Sequence, residues 1–346
     1  MIGYFARRLL LLIPTFLGIT FLVFTITRFV PGGPIDQMLL QMQSGVAEAG
    51  ASSGGGGGVS VSSVEIPPAV LGELNRLYGF DKPFYLAYIT WLGDLLTLDL
   101  GDSYKYNEPV LGIIIQRFPV SIYFGLVGFT LAYLVSIPLG VAKAVAHGSA
   151  FDLVSSAIVF VGYSVPGWAL GAVLLVLFGG GSFFDLVPLG GFRSPGWSEM
   201  SWFGKVIDQL HHTILPVFAY SVGSFATLTV LMKNSLMENL GQDYVRTAFA
   251  KGLSERRVIL VHALRNSLIP ISTGLGHAIG LIMAGSYLIE FVFNIDGIGY
   301  LGFTSIVERD YAVVMGILVI NTALILLGNI LSDVLYVLVD PRIRFT

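Results

Sequence analysis

Six stretches of the chain run without Asp, Glu, Lys or Arg, bounded by charged residues at 8 and 28, 117 and 143, 152 and 185, 208 and 233, 265 and 290, and 310 and 333. A helix that crosses the hydrocarbon core of a bilayer needs about 20 apolar residues, and backbone in that medium must bond to itself. The pattern therefore predicts six transmembrane helices and an all-α integral membrane protein. The third stretch is too long for one simple span; Gly179, Gly180 and Gly181 are expected to divide it into a helix and a turn. The organisation that follows is a first span within residues 1–30, an outer segment over 31–117, a core of five further spans over 118–338 that includes a charged loop at 233–266, and a tail over 339–346.

Composition agrees with the pattern. Hydrophobic residues make up 54% of 346 positions and charged residues 12%, and the mean hydropathy is +0.79, outside the range of a soluble globule. With the N-terminus in the cytoplasm, the inner segments collect the basic clusters at 7–8 and 246–265, so the positive-inside rule predicts that both termini are cytoplasmic. Arg7 and Arg8 also resemble the start of a signal peptide, but no small-residue cleavage site follows, and the first helix is read as retained.

The outer segment is polar and irregular at first. SSGGGGGVSVSS at 52–63 cannot bury enough surface to offset its chain entropy, and it is read as a flexible loop over about 44–66 rather than an anion-binding nest. Pro67-Pro68 and Gly79 bracket a short helix at 69–78; Asp81 can cap another, with Pro83 in its first turn, that runs to about Leu96. Nothing in this segment is patterned like an enzyme domain.

Absences narrow the chemistry. The chain has no cysteine, so disulfides, thiolate metal sites and cysteine nucleophiles are excluded. No G-x-x-x-x-G-K-[ST] occurs, so the chain has no phosphate-cradling loop, and no H-E-x-x-H is present. His211 and His212 diverge by about 100° on a helix expected to start near them, and are read as interfacial rather than metal-ligating. The spans lack the several carboxylates or basic residues of an ion-coupled carrier. Gly162-Tyr163-Ser164-Val165 and His277-Ala278-Ile279-Gly280 resemble the serine and histidine segments of rhomboid intramembrane proteases, which would pair Ser164 with His277. The competing reading makes Gly167-xxx-Gly171 and Gly276-xxx-Gly280 helix-packing faces. From these residues alone a transport subunit, an intramembrane protease and a self-sufficient secondary transporter all stay open.

One segment breaks the apolar pattern: DYVRTAFAKGLSERRVILVHALRNSLIP, residues 243–270. Tyr244, Val245, Ala248 and Phe249 recur at i, i+1, i+4 and i+5 and line one face of a helix, with Arg246 and Lys251 projecting elsewhere. Gly252 suits the left-handed position just past the helix end, and Ser254 can cap a second helix with Glu255 in its first turn. The result is two short helices joined at a glycine elbow, placed in water to dock another protein or to lie on a membrane surface.

These residues carry a family resemblance. The segment resembles the EAA-type loop of ATP-binding cassette importer permeases, in the form D-Y-x-R-T-A-x-A-K-G-L-S found in the oligopeptide, dipeptide and nickel subgroup. It is joined by RRLLLLIPTFLGITFLVF at 7–24, GFDKP at 79–83, LDLGDS at 98–103, LVSIPLGVAKA at 134–144 and LVDPRIRF at 338–345, so nearly the full length is covered. The Gly-rich insertion, KAVAHGSAFD and GGSFFDLVPLGG are most similar to the Yej-type branch of peptide and microcin C permeases. The chain departs from the general pattern at Arg246, where Glu is usual, and at Arg265, where Pro is usual.

The resemblance implies a non-catalytic subunit with the six-helix fold of type I importers, in the bacterial inner membrane. Its implied partners are a second homologous permease, a cytoplasmic ATPase with two nucleotide-binding domains that holds ATP and Mg, a periplasmic substrate-binding protein, the lipid bilayer and a peptide substrate, with no nucleic acid. Asp243 to Arg257 would enter a cleft of the ATPase, with Tyr244, Ala248, Phe249 and Leu253 as apolar contacts, Gly252 as elbow, and Asp243, Arg246, Lys251, Arg256 and Arg257 around them. Candidate pathway residues are Ser221, Ser224 and Thr227 in the fourth helix, His277 and Ser286 in the fifth and Asn321 in the sixth, although an interhelical hydrogen bond is the favoured reading of each. Glu290, Asn294 and Asp296 fall in EFVFNIDGIG, similar to the family's outer loop, and are expected to face the binding protein. No metal site is expected.

Overall fold

The structure, a computed structural model, describes residues 2–29, 72, 81–181, 183–272, 282 and 285–339. Among these residues the regular structure is helical, with two isolated bridges and no strand. In chain order the elements used below are α1 (Ile2–Phe29), α2 (Phe84–Leu96), α3 (Val110–Val145), α4 (Ala150–Ser164), α5 (Gly167–Phe178), α6 (Trp202–Leu240) and α7 (Asp243–Ala250). After α7 comes α8, which is α-helical over Glu255–Arg257, π-helical over Val258–Ala263 and α-helical again over Leu264–Ser267. Then follow α9 (Ile269–Ser272), α10 (Tyr287–Val292), α11 (Ile298–Val307) and α12 (Tyr311–Val339).

Among the described residues α1, α3, α6 and α12 are long and apolar enough to cross a membrane, and the α4–α5 pair adds one more if it is a single bent span. The expected span between 265 and 290 includes residues 273–281, 283 and 284, which lie outside the described residues, as do His277, the 44–66 loop, most of the helix expected over 69–78 and the tail from 340. The third apolar stretch departs from the simple helix expected of it. The chain turns by 95° between α4 and α5. Val165 leaves the helical region (φ −98°, ψ 124°) where Pro166 follows it, since proline disfavours the α conformation in the residue before it. The turn at Gly179 to Gly181 is a second, separate break.

Contacts divide the chain into two compact units. The smaller, Ile13–Ile115 with Thr304–Ile320, is built on aromatic packing: Phe24, Ala87 and Met315 are buried, with Phe84, Tyr88 and Trp91 of α2 against them. Thr20 and Tyr88 share a 3.0 Å hydrogen bond between hydroxyls. The expected cap of α2 is corrected here: Pro83, not Asp81, holds the N-cap position, without a side-chain bond. Asp310 is fully buried and accepts from Ser103 Oγ at 2.5 Å. Burial pushes its carboxyl above the usual range, against the pull of that hydroxyl and the Val313 N–H.

In the larger unit, Met1–Leu12, Gln116–Phe303 and Asn321–Thr346, the described residues include two apolar clusters. Phe124, Leu215, Val217, Ala219, Ile289, Phe293 and Ile295 form one; Ala144, Met232, Leu236, Val245, Ala248, Val258, Ile259, Ala263 and Ile271 form the other. Small residues set the helix spacing. A Cβ at Gly140 of α3 would lie 2.5 Å from Met232 Cβ and 2.9 Å from the Thr229 carbonyl oxygen on α6, so backbone approaches backbone there. Gly140→Val is expected to cost about 1–3 kcal/mol through overpacking, read as a lower thermal midpoint in detergent; an unchanged midpoint would show that the two helices are free to separate. Gly167 and Gly171 of α5 are likewise pressed against α6 and Phe293, which supports their reading as a packing face.

Candidate functional site: a two-helix surface segment and the polar nodes behind it

Helix α7 begins with Gln242 at the N-cap position and Asp243 in the first turn, where a carboxylate complements the helix dipole. It ends because Gly252 takes φ +78°, a left-handed conformation that side-chain-bearing residues adopt at a cost. No atom lies within 4 Å of where a Gly252 Cβ would stand, so the constraint is on the backbone rather than on space. Ser254 occupies the N-cap position of α8 as expected, but its side chain makes no capping bond.

The burial pattern corrects part of the expected surface. Val245 and Ala248, three apart, point inward onto Met232, Leu236, Val258, Ile259 and Ala263, and Leu253 packs against the same cluster. Ala248 and Leu253, expected as contacts for a partner, therefore belong to the protein's own core. In a helix of eight residues the inward stripe takes these positions and leaves Tyr244 and Phe249 outside, 39% and 46% exposed. Asp243, Arg246, Lys251, Gly252, Arg256 and Arg257 are all exposed around them. Arg246 Nη1 lies 3.4 Å from Asp243 Oδ1, with both side chains at least three-quarters exposed, so this pair contributes little. The Tyr244 hydroxyl donates to Asn239 Oδ1 at 2.8 Å.

The second feature overturns an expectation. Glu290, assigned to a partner-facing loop, has no exposed surface. Its Oε1 accepts from Ser121 Oγ at 2.9 Å, Tyr220 OH at 3.1 Å and Ser286 N at 3.3 Å, and its Oε2 accepts from Tyr300 N at 3.0 Å. The hydroxyl protons can be assigned. Ser121 Oγ accepts from Ile298 N and Tyr220 OH accepts from Ser286 N, so each hydroxyl is left to donate its proton to the carboxylate. Every group around Glu290 is thus a donor, which suits the ionised form, and no basic side chain among the described residues pairs with it. The backbone closes on it: a Cβ at Gly297 would stand 2.3 Å from Oε2 and one at Gly285 2.5 Å from Oε1. Glu290 pins the 285–300 hairpin to α3 and α6. At its tip Asn294 and Asp296 are exposed, and Asp296 Oδ1 accepts from Arg117 Nε at 2.7 Å.

The expected pathway residues do not converge. Ser221 is buried and donates to the carbonyls of Val217 on its own helix and Gly128 on α3, an interhelical bond. Ser224 and Thr227 are exposed on α6. Ser286 belongs to the Glu290 node, and Asn321 is buried on α12 with its Oδ1 unpartnered. Ser164 donates to the Phe160 carbonyl oxygen at 2.8 Å, and its proposed partner His277 lies outside the described residues. The histidine pair is also corrected. Helix α6 starts at Trp202, well before it, and His212 is buried: Nδ1 donates to the Gly191 carbonyl oxygen at 3.0 Å and Nε2 accepts from Ser194 Oγ at 3.1 Å. No cluster fit to hold a metal occurs among the described residues.

One polar node escaped the sequence reading although its members were in view. Lys143, Asp152 and Lys233 each bound an apolar stretch, and the structure brings these three ends together. Lys233 Nζ reaches the two Asp152 carboxylate oxygens at 2.8 and 2.7 Å, and Lys143 Nζ lies 3.3 Å from Oδ1. Lys143 also donates to the Asp152 carbonyl, Ser155 Oγ and Ser156 Oγ. The usable signal was a carboxylate in the first turn of one helix and a lysine in the last turn of the helix before it.

Comparison with known proteins follows the same lines. Residues 136–345 match the family described as binding-protein-dependent transport system inner membrane component. Over 360 residues, 99% of this chain and 99% of the relative, the sequence is 42% identical to the inner membrane ABC transporter permease protein YejB of Escherichia coli O157:H7. It is 40% identical to the peptidoglycan transport system permease protein YejB of Agrobacterium fabrum, covering 99% and 98%. To the dipeptide transport system permease protein DppB of Escherichia coli K12 it is 35% identical, covering 99% of each.

Proposed function

From a chain that belongs to the family of binding-protein-dependent transport system inner membrane components, we infer the permease subunit of an ATP-driven peptide importer, itself without catalytic activity. In this reading six helices cross the inner membrane with both termini in the cytoplasm. A second permease completes the pathway, a binding protein delivers peptide from outside, and a partner ATPase binds ATP and Mg at the inner face. Ser224 and Thr227 on the exposed strip of α6 border the route; Ser221, committed to Gly128, does not.

The observation that carries the reading is the face of α7: two exposed aromatic rings among basic side chains, on a helix whose opposite side packs against α8 in the apolar cluster that also holds Ala144 of α3 and Met232 and Leu236 of α6. Such a surface is rigid from behind and open in front, as docking requires. Exposed aromatics inserted into a partner's cleft are typical anchors, each contributing about 2 kcal/mol. Replacing both Tyr244 and Phe249 by alanine is therefore expected to cut ATPase co-purification and substrate-stimulated ATP hydrolysis by more than tenfold, with insertion unchanged. Undiminished co-purification by the double variant would remove α7 as the docking element.

The substrate class rests on the relatives' names, peptide and peptidoglycan transport, and on the similarity of residues 143–152 and 180–191 to the Yej-type branch. We propose peptides, including peptide–nucleotide antibiotics of the microcin C kind. A deletion strain is expected to resist such an antibiotic and to lose growth on peptides as nitrogen source; a strain unchanged in both would exclude the assignment.

A further inference from the structure

We propose that Asp152 is a positioning residue that passes movement of the α7 platform to the bent α4–α5 pair, and so links ATP-driven motion to the transport pathway.

The node ties three helices at one carboxylate: α3 through Lys143, α4 through Asp152, α6 through Lys233. It is shielded from water, with Asp152 6% and Lys143 1% exposed, so its charge-assisted bonds are strong and directional. Lys143 is saturated by bonds to the first turns of α4, and the Gly148 N–H donates to Asp152 Oδ2 at 3.2 Å. The start of α4 is thereby held to the end of α3.

The neighbours in sequence give this knot its meaning. Ala144 follows Lys143 and Met232 precedes Lys233, and both are members of the apolar cluster on which Val245 and Ala248 of α7 rest. Displacing α7 therefore loads the helix ends that grip Asp152. On the other side of the node α4 leads through the 95° bend into α5, whose Gly167 and Gly171 abut Ala219 and Phe293. Phe293 lies in the hairpin that Glu290 pins. A continuous packed route thus runs from α7 to the 285–300 hairpin, and among the described residues the carboxylate of Asp152 is the group of α4 that reaches both lysines.

The inference rests on the reading of α7 as the ATPase-docking helix. The test uses the full complex, with both permeases, ATPase and binding protein, in proteoliposomes, and measures peptide imported per ATP hydrolysed. Asp152→Asn is expected to keep ATPase co-purification and basal hydrolysis within about twofold, while import per ATP falls at least tenfold. Asp152→Glu, which keeps the charge, is expected to recover half or more. If Asp152→Asn does not assemble, Lys233→Met carries the test, since it leaves Asp152 paired with Lys143; the same fall in coupling is expected. A wild-type import ratio in the assembled asparagine or methionine variant would overturn this proposal alone. A wild-type chain that brings down no ATPase would overturn the functional reading and this inference with it.

Discussion

Gly252→Pro is expected to abolish substrate-stimulated ATP hydrolysis by the assembled transporter while leaving the chain inserted in the membrane. Proline holds φ near −65°, and residue 252 stands at +78°. The substitution also deletes the N–H that bonds to the Phe249 carbonyl oxygen at 2.9 Å. The elbow must then open, and α7 leaves α8 in another direction, carrying Tyr244 and Phe249 away from their present placement. Incompatible proline costs about 3 kcal/mol or more locally, but the spans do not depend on this turn. Gly252→Ala should be milder, since alanine meets no crowding and pays only the left-handed strain of about 1 kcal/mol. Stimulated hydrolysis by the purified complex separates the two; normal stimulation with proline would sink the elbow's role in coupling.

The second large effect is on stability. Glu290→Ala strands the protons of Ser121 and Tyr220 and the N–H of Tyr300 in a site without water access. Each buried donor without an acceptor costs about 1–3 kcal/mol, so a total near 3–5 kcal/mol is expected after relaxation. It should appear as a lower thermal midpoint and as new protease cleavage between residues 285 and 300. Glu290→Gln keeps the shape but turns an NH2 group toward donors, and should fall between alanine and wild type. A glutamine variant as stable as wild type would show that the site does not require a carboxylate.

How much of this was legible beforehand depended on range. The apolar helices α1, α3, α6 and α12, the Gly252 elbow and the glycine face at 167 and 171 follow from neighbouring residues, and the structure has them where the pattern put them. Even within local reach, Pro166 was overlooked as the hinge of the third stretch, because the run of apolar residues on both sides masked it. Ala248 and Leu253 were misplaced because an amphipathic stripe does not say whether its apolar side meets a partner or the chain's own core. The partners of Glu290, and the pairing of Asp152 with Lys233, were illegible for a different reason. Ser121 is 169 residues from Glu290 and Lys233 is 81 from Asp152. Only the packing of distant helices makes an interfacial-looking carboxylate into an interior one.

Glu290 also sets how the hairpin responds to its surroundings. Its charge is balanced by hydroxyl and amide dipoles rather than by a counter-ion, and it is enclosed. Mobile ions screen exposed charges within about 8 Å at physiological ionic strength and barely reach such a site. The Arg117–Asp296 bridge at the tip, with Asp296 66% exposed, has no such protection. Concentrated salt should therefore loosen the tip of the hairpin and leave its root seated, so that a change in ionic strength alters how the tip meets other molecules without unseating the hairpin itself.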